Sequence, residues 1–307
     1  TVAEAHEAAL RAYLRTVLPR YEAEGNRFEI GFSTQKKSSD TVAADLQNGP
    51  FRDRAGRLVF RPSGHGALLE NLVALEGSVV FIKNIDNVAP DARRADTLIY
   101  KKAMAGFLAE IQETCFRYLR LLEAGSPAPA VLAEIEAFLC GTLSASLPTD
   151  WPGLEAAARR AWLFARLNRP LRVCGMVPNQ GEPGGAPFWV EERGGGFSLQ
   201  IVESVQVDPA DAERQRIFRD ATHFNPVDLV CGLKDFRGRP FELEKFADPE
   251  AGFISEKSYE GKPLRALELP GLWNGAMAHW NTVFVEVPVS TFTPVKRIED
   301  LLRPEHS

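Results

Sequence analysis

Residues 60–72 read FRPSGHGALLENL and residues 79–87 read VVFIKNIDN, and between them they decide the fold class. Residues 56–60 alternate as a short strand behind a glycine turn, and Gly64 and Gly66 break the chain. Residues 67–75 have the spacing of a helix starting just after Gly66. Residues 79–82 form a β-branched and aromatic run suited to a buried strand, ending in the polar NIDN of residues 84–87. Strand, loop, helix, strand is an α/β signature. Upstream, Leu10, Tyr13, Leu14, Val17, Leu18 and Tyr21 recur at helical spacing, and residues 27–33 alternate as a strand. Downstream, Met104, Phe107, Leu108, Ile111, Cys115, Tyr118, Leu119 and Leu122 mark one helical stripe, with Pro127 and Pro129 expected to end it. Further helices are expected over 131–139 and 154–167. From Leu171 the pattern turns to strands, at 172–177, 188–191, 198–207 and 282–287.

The 307 residues, 45% hydrophobic and 25% charged, suffice for one large or two modest domains. A net charge of -5 gives no broad basic field, so nucleic acid is not an expected partner, and an anionic substrate needs a locally placed cation. Cys115, Cys140, Cys174 and Cys231 form no CxxC pair, which argues against a zinc cage and predicts reduced thiols in the cytoplasm. No stretch approaches the roughly 20 apolar residues of a membrane span, and no basic start leads into an apolar signal core, so no membrane association is expected. Helical patterning begins at once behind Thr1, from which we expect a piece of a longer protein. No internal repeat is evident. Residues 181–185 and 194–196 read as mobile glycine loops rather than phosphate cradles, because neither leads into a helix.

Asp86 follows a buried strand, and ligands of open α/β sheets gather at such ends. A hard carboxylate there suits Mg2+ shared with substrate phosphates, and it equally fits an Asx turn. Gly64 and Gly66 let a ligand approach the backbone before a helix, or simply make a turn. His223 lacks a second ligand at metal spacing and reads as a packed or hydrogen-bonded histidine.

These stretches, with FSTQKKSS at 32–39, LQIVESVQV at 199–207 and FTPVKRIEDLL at 292–302, resemble in order the motifs of UDP-glucose and UDP-N-acetylhexosamine pyrophosphorylases. The whole chain is more similar still to an uncharacterised bacterial family of pyrophosphorylase-like proteins, a domain of unknown function. Members of that family begin with an additional strand, glycine-rich loop and helix, which find no match here. The resemblance implies a mixed central sheet of nucleotide-diphospho-sugar transferase type without that N-terminal unit. It further implies a single incomplete nucleotidyltransferase-like domain over 1–307, made of a nucleotide-binding part over 1–101, a helical insertion over 102–170, and sugar-side strands with a C-terminal lysine segment over 171–307.

The implied activity is uridylyl transfer, sugar 1-phosphate and UTP giving UDP-sugar and pyrophosphate. The alternative is a non-catalytic nucleotide-sugar-binding or regulatory module. Under the resemblance Gln35 reads the base edge, Gly64 packs near the uracil, and His65 lies beside the nucleotide. Asp86 holds Mg2+ with Asn84 beside it. Glu203 accepts hydrogen bonds from sugar hydroxyls, and Gly175 and Asn225 add sugar-side contacts. Lys296 reaches the phosphates as a mobile point charge. It also reads as a solvated lysine paired with Glu299 or Asp300.

Overall fold

The computed structural model describes residues 1–23, 25–125, 127–181, 184–192 and 195–306. Residues 182–183 of the first glycine loop and residue 194 of the second therefore lie outside the described residues. In chain order the helices are α1 (Glu4–Glu22), α2 (Leu69–Val73), α3 (Arg94–Ala124), α4 (Pro129–Gly141), α5 (Ala156–Leu167) and α6 (Ala212–Arg219). The strands are β1 (Thr41–Val42), β2 (Phe60–Arg61), β3 (Val79–Lys83), β4 (Leu171–Pro178), β5 (Gly185–Glu191), β6 (Phe197–Glu203), β7 (His223–Gly232), β8 (Phe253–Tyr259), β9 (Lys262–Glu268) and β10 (Asn281–Glu286). They fall into two compact units, Thr1–Glu76 with Asp248–Ala276, and Gly77–Ala247 with Met277–Ser307.

In the first unit the β8–β9 hairpin joins the short β1–β2 pair through reciprocal bonds, Ala44 N–H to Arg265 O at 2.8 Å and Arg265 N–H to Ala44 O at 2.7 Å. Ala43, Phe51, Val59, Leu264 and Ala266 close a small core beneath them. The expected first helix forms as α1, yet none of its residues is buried, and Tyr13 stays 63% exposed. Residues 27–33 alternate in sequence but form no strand, because among the described residues the ladder contact nearby is the isolated bridge of Val2 with Thr34. Alternation without a partner strand leaves backbone groups unpaired and does not hold.

The second unit is built on a mixed sheet in the order β10-β4-β7-β3, with β10 and β4 parallel and the other pairs antiparallel. Long α3 buries Met104, Leu108, Ile111, Cys115, Leu119 and Leu122 along one stripe packed in the main core. At α4, Pro129 opens the helix rather than ending its predecessor, since proline at the first helical position gives up an N–H that has no partner there. The expected strand over 198–207 is shorter, since β6 stops at Glu203 and a 3-10 turn follows. Central β7 is invisible to pattern reading because Asn225, Pro226 and Asp228 interrupt its apolar run. Pro226 is tolerated there because the β4–β7 register shifts between Gly175 and Val177, where the ladder skips its missing N–H.

Although no repeat is evident in sequence, one turn recurs. Asp53-x-x-Gly56-Arg57 and Asp235-x-x-Gly238-Arg239 close by the same bonds, with Oδ1 accepting two backbone N–H groups and Oδ2 accepting the arginine Nε–H at 2.9 Å. Gly56 and Gly238 take φ of 78°, the left-handed conformation that glycine adopts without strain. No helix among the described residues is long and apolar enough to cross a membrane.

Candidate functional site

In the second unit, the loop after β3 is stitched to the segment leading to Lys296. Buried Asn87 donates from Nδ2 to Thr291 O at 3.1 Å and accepts the Thr293 N–H on Oδ1 at 2.9 Å, across 206 residues of sequence. The Thr293 hydroxyl donates to Val88 O at 2.8 Å, and the Val295 N–H donates to Asp86 O at 2.7 Å. Asp86 and Lys296 are thus carried on adjacent backbone. The stitching consumes backbone groups and the Asn87 amide, and leaves their own side chains uncommitted. Among the described residues neither the Asp86 carboxylate nor the Lys296 ammonium has a hydrogen-bond or ion-pair partner. Asp300 instead accepts the backbone N–H groups of Arg297 and Lys296, which hold its carboxyl below the usual range, and pairs with Arg303 at 2.8 Å.

The sugar-side expectation also brings residues together. Gly185 of β5 lies opposite Glu203 of β6, and the Asn225 amide of β7 reaches both. In one amide orientation Nδ2 lies 3.5 Å from Glu203 Oε1. In the other, Asn225 makes a two-bond pair with Gly185, accepting its N–H at 3.1 Å and donating to its carbonyl at 3.2 Å. A Cβ at Gly185 would sit 2.4 Å from the Asn225 oxygen, so glycine is what admits the amide. Glu203 also caps the following 3-10 turn through the Gln206 N–H. Gly175, by contrast, directs its missing side chain at the Met104 sulfur, 3.0 Å from where a Cβ would stand, and at Val287. Its side-chain face is occupied by packing.

Sequence reading missed the charged residues beside Gly175. Asp228 of β7 is opposite Gly175 of β4 on one side and Lys83 of β3 on the other, and Lys101 Nζ from α3 lies 2.9 Å from its Oδ1. Burial raises the Asp228 pKa despite the two lysines, and burial lowers that of Lys83 despite the aspartate. The available signal was an aspartate inside the apolar run VDLV, which a buried strand accepts only with a cationic partner.

The first unit holds the other expected residues. Gly64 takes φ of 80°, and a Cβ there would stand 2.9 Å from Glu268 Oε2. A Cβ on Gly66 would stand 2.1 Å from the Pro270 carbonyl oxygen. His65 Nδ1 accepts the Leu272 N–H at 2.9 Å, and the ring stacks on Trp273 with centroids 4.5 Å apart. Burial disfavours charge on Glu268, but bonds from Lys257 and Ser255 and the charge of Lys257 outweigh it and lower its pKa. Half-buried Gln35 donates to Ser39 Oγ at 3.3 Å. Its loop is tied to α2 by Asn71 Nδ2 to Thr34 O at 2.9 Å and by the Lys36–Glu70 pair at 2.9 Å, so Gln35 and the GHG segment share one support. Residues 269–273, which no motif marked, are what hold His65.

For metal binding, no group of three or more His, Cys, Asp or Glu side chains is assembled among the described residues. A single uncommitted carboxylate at Asp86, with the Asn84 amide on the same loop, is a hard-oxygen set that fits Mg2+ held mainly by water and phosphate, and does not fit a closed protein cage.

Among solved structures, the chain is similar to UDP-glucose pyrophosphorylase from Leishmania major in complex with UDP-glucose, at 16% identity and a TM-score of 0.45, covering 96% of this chain and 52% of that one. UDP-glucose phosphorylase from Trypanosoma brucei gives 16% identity and a TM-score of 0.44, with 96% and 50% covered. This chain therefore spans about half the length of those structures. No curated protein matches it. Over residues 1–307 the sequence matches the family described as Domain of unknown function (DUF4301), and the chain belongs to that family.

Proposed function

We propose that the chain carries the metal, phosphate and sugar-side machinery of a UDP-sugar pyrophosphorylase-like nucleotidyltransferase. The observation that carries this reading is the stitching of the Asp86 loop to the Lys296 segment, which joins two distant motifs and spends neither functional side chain. A structural turn would consume its own carboxylate, as Asp53 and Asp235 do.

In this reading Asp86, with Asn84, holds Mg2+ against substrate phosphates, and the ion when bound neutralises phosphate charge. Lys296 brings an ammonium to the phosphorus being transferred. Transfer of this kind needs placement and neutralisation rather than a protein nucleophile. Glu203 and Asn225 orient the sugar through its hydroxyls with Gly175 nearby, and Gln35, Gly64 and His65 form the base side. Of the parts implied by the resemblance, residues 1–101 bind nucleotide, 102–170 are an insertion without chemistry, and 171–307 hold sugar and lysine. Turnover from UTP also needs a triphosphate cradle, which pyrophosphorylases build from a glycine-rich loop, and no residue of this chain is assigned to it.

A thermal-shift screen of nucleotides and nucleotide sugars with and without Mg2+, followed by radiolabelled pyrophosphate exchange, tests the reading. Selective stabilisation by a UDP-sugar with Mg2+-dependent exchange supports transfer. Selective stabilisation with no exchange overturns transfer in favour of a nucleotide-sugar-binding module. No stabilisation by any uridine nucleotide overturns both.

A further inference from the structure

A cavity in the second unit uses none of these residues. Because Gly175 faces α3, the next residue of β4, Met176, and its β10 partner Glu286 face the opposite side of the sheet. There the β5–β6 hairpin lines an open cavity of about 300 Å³ with Phe188, Trp189, Phe284, His223 and Glu286 in its wall. Phe188 is fixed by stacking on Phe218 at 5.5 Å, whereas Trp189 is 58% exposed. His223 spans two partners: Nδ1 lies 2.9 Å from Thr222 Oγ1, and Nε2 lies 2.9 Å from Glu286 Oε2. A neutral imidazole satisfies that chain, the threonine hydroxyl donating to Nδ1 and Nε2–H donating to the carboxylate. In that arrangement the acid is oriented at the cavity wall, and no lysine or arginine among the described residues lines the cavity.

We propose that this cavity binds a small organic ammonium. Phe188, Trp189 and Phe284 line the cavity and the Glu286 carboxylate adds a full negative charge, so the site favours a cation over a phosphate. Its volume lies at the lower end of small-molecule sites, roughly 300–1,000 Å³, which suits a single head group. From Gly185, opposite Glu203, to Trp189 is four residues of strand, about 13 Å, so the two sites are separate along one hairpin.

Isothermal titration at constant ionic strength with choline chloride, and with its uncharged isostere 3,3-dimethyl-1-butanol, tests the assignment. Choline should bind at least about tenfold more tightly than the isostere, and Glu286→Gln or Trp189→Leu should each lower choline affinity about tenfold, with Trp189→Phe losing less. Both positions are exposed, and an unchanged thermal midpoint verifies that the variants fold. Equal binding of choline and the isostere, no binding of choline, or choline binding unaffected by both substitutions would each overturn the proposal. None of these outcomes depends on nucleotide-sugar binding.

Discussion

The GHG segment of the first unit and the NIDN loop of the second arise from one kind of cue, a short polar motif beside a strand, yet the structure uses them in opposite ways. In GHG, the glycines admit Pro270 and Glu268, and His65 is engaged by Leu272 and Trp273. In NIDN, Asn87 and the backbone do the fastening while Asp86 is left uncommitted. A residue whose side chain is consumed by its neighbours has a sufficient structural reason to be there. One held in place but left without a partner does not, and that difference makes the second region the stronger candidate for chemistry.

The comparison can be broken first at Gly66. Gly66→Ala forces a Cβ onto backbone and should destabilise the first unit by about 3 kcal/mol or more, whereas Gly64→Ala meets only a movable carboxylate plus left-handed strain and should cost about 1–2 kcal/mol. Equal, small losses in chemical denaturation would show that the glycines are not packing devices.

In the second region Asn87→Ala removes both tethers and strands buried groups, so a loss of about 1–3 kcal/mol is expected. The matching loss of function should exceed that of a comparable surface change, because Asp86 then moves relative to Lys296. Retained stability with retained Mg2+ response would sink the tether argument.

A smaller effect separates the two regions by pH. Glu268 has a folded pKa below its unfolded value, so its contribution is full above the ordinary carboxylate range and is lost as pH falls through the lowered pKa. Glu268→Gln should therefore flatten the acid-side decline in stability, as should Lys257→Met, and denaturation midpoints along a pH series measure it. An unchanged slope in both variants would contradict the assignment.

Much of this was legible in the sequence, unevenly. The helical stripe of α3 reads directly, since its burial repeats at the period of the helix, whereas the run of β3 reads correctly as a strand but wrongly as a buried one: it is an edge strand with Val79 and Phe81 exposed. Central β7 was not legible, because a bulge accommodates Pro226 and lysines accommodate Asp228, and neither compensation is local in sequence. At the site, motif order named Asp86, Lys296, Glu203 and Asn225, and the last two meet at Gly185. The contacts of His65 with residues 272–273 carry no motif, and the packing of Gly175 against Met104 depends on which way one strand faces.

The least disruptive substitutions provide the most direct test. Because their side chains lack partners among the described residues, Asp86→Ala and Lys296→Ala should each change stability by no more than about 0.5 kcal/mol. Isothermal titration of UDP-glucose with and without Mg2+ then measures what they do. The account predicts that Mg2+ strengthens binding to the native chain, that Asp86→Ala abolishes this Mg2+ dependence, and that Lys296→Ala weakens binding at either Mg2+ level. Binding that is indifferent to Mg2+ and unaltered by both substitutions would contradict it.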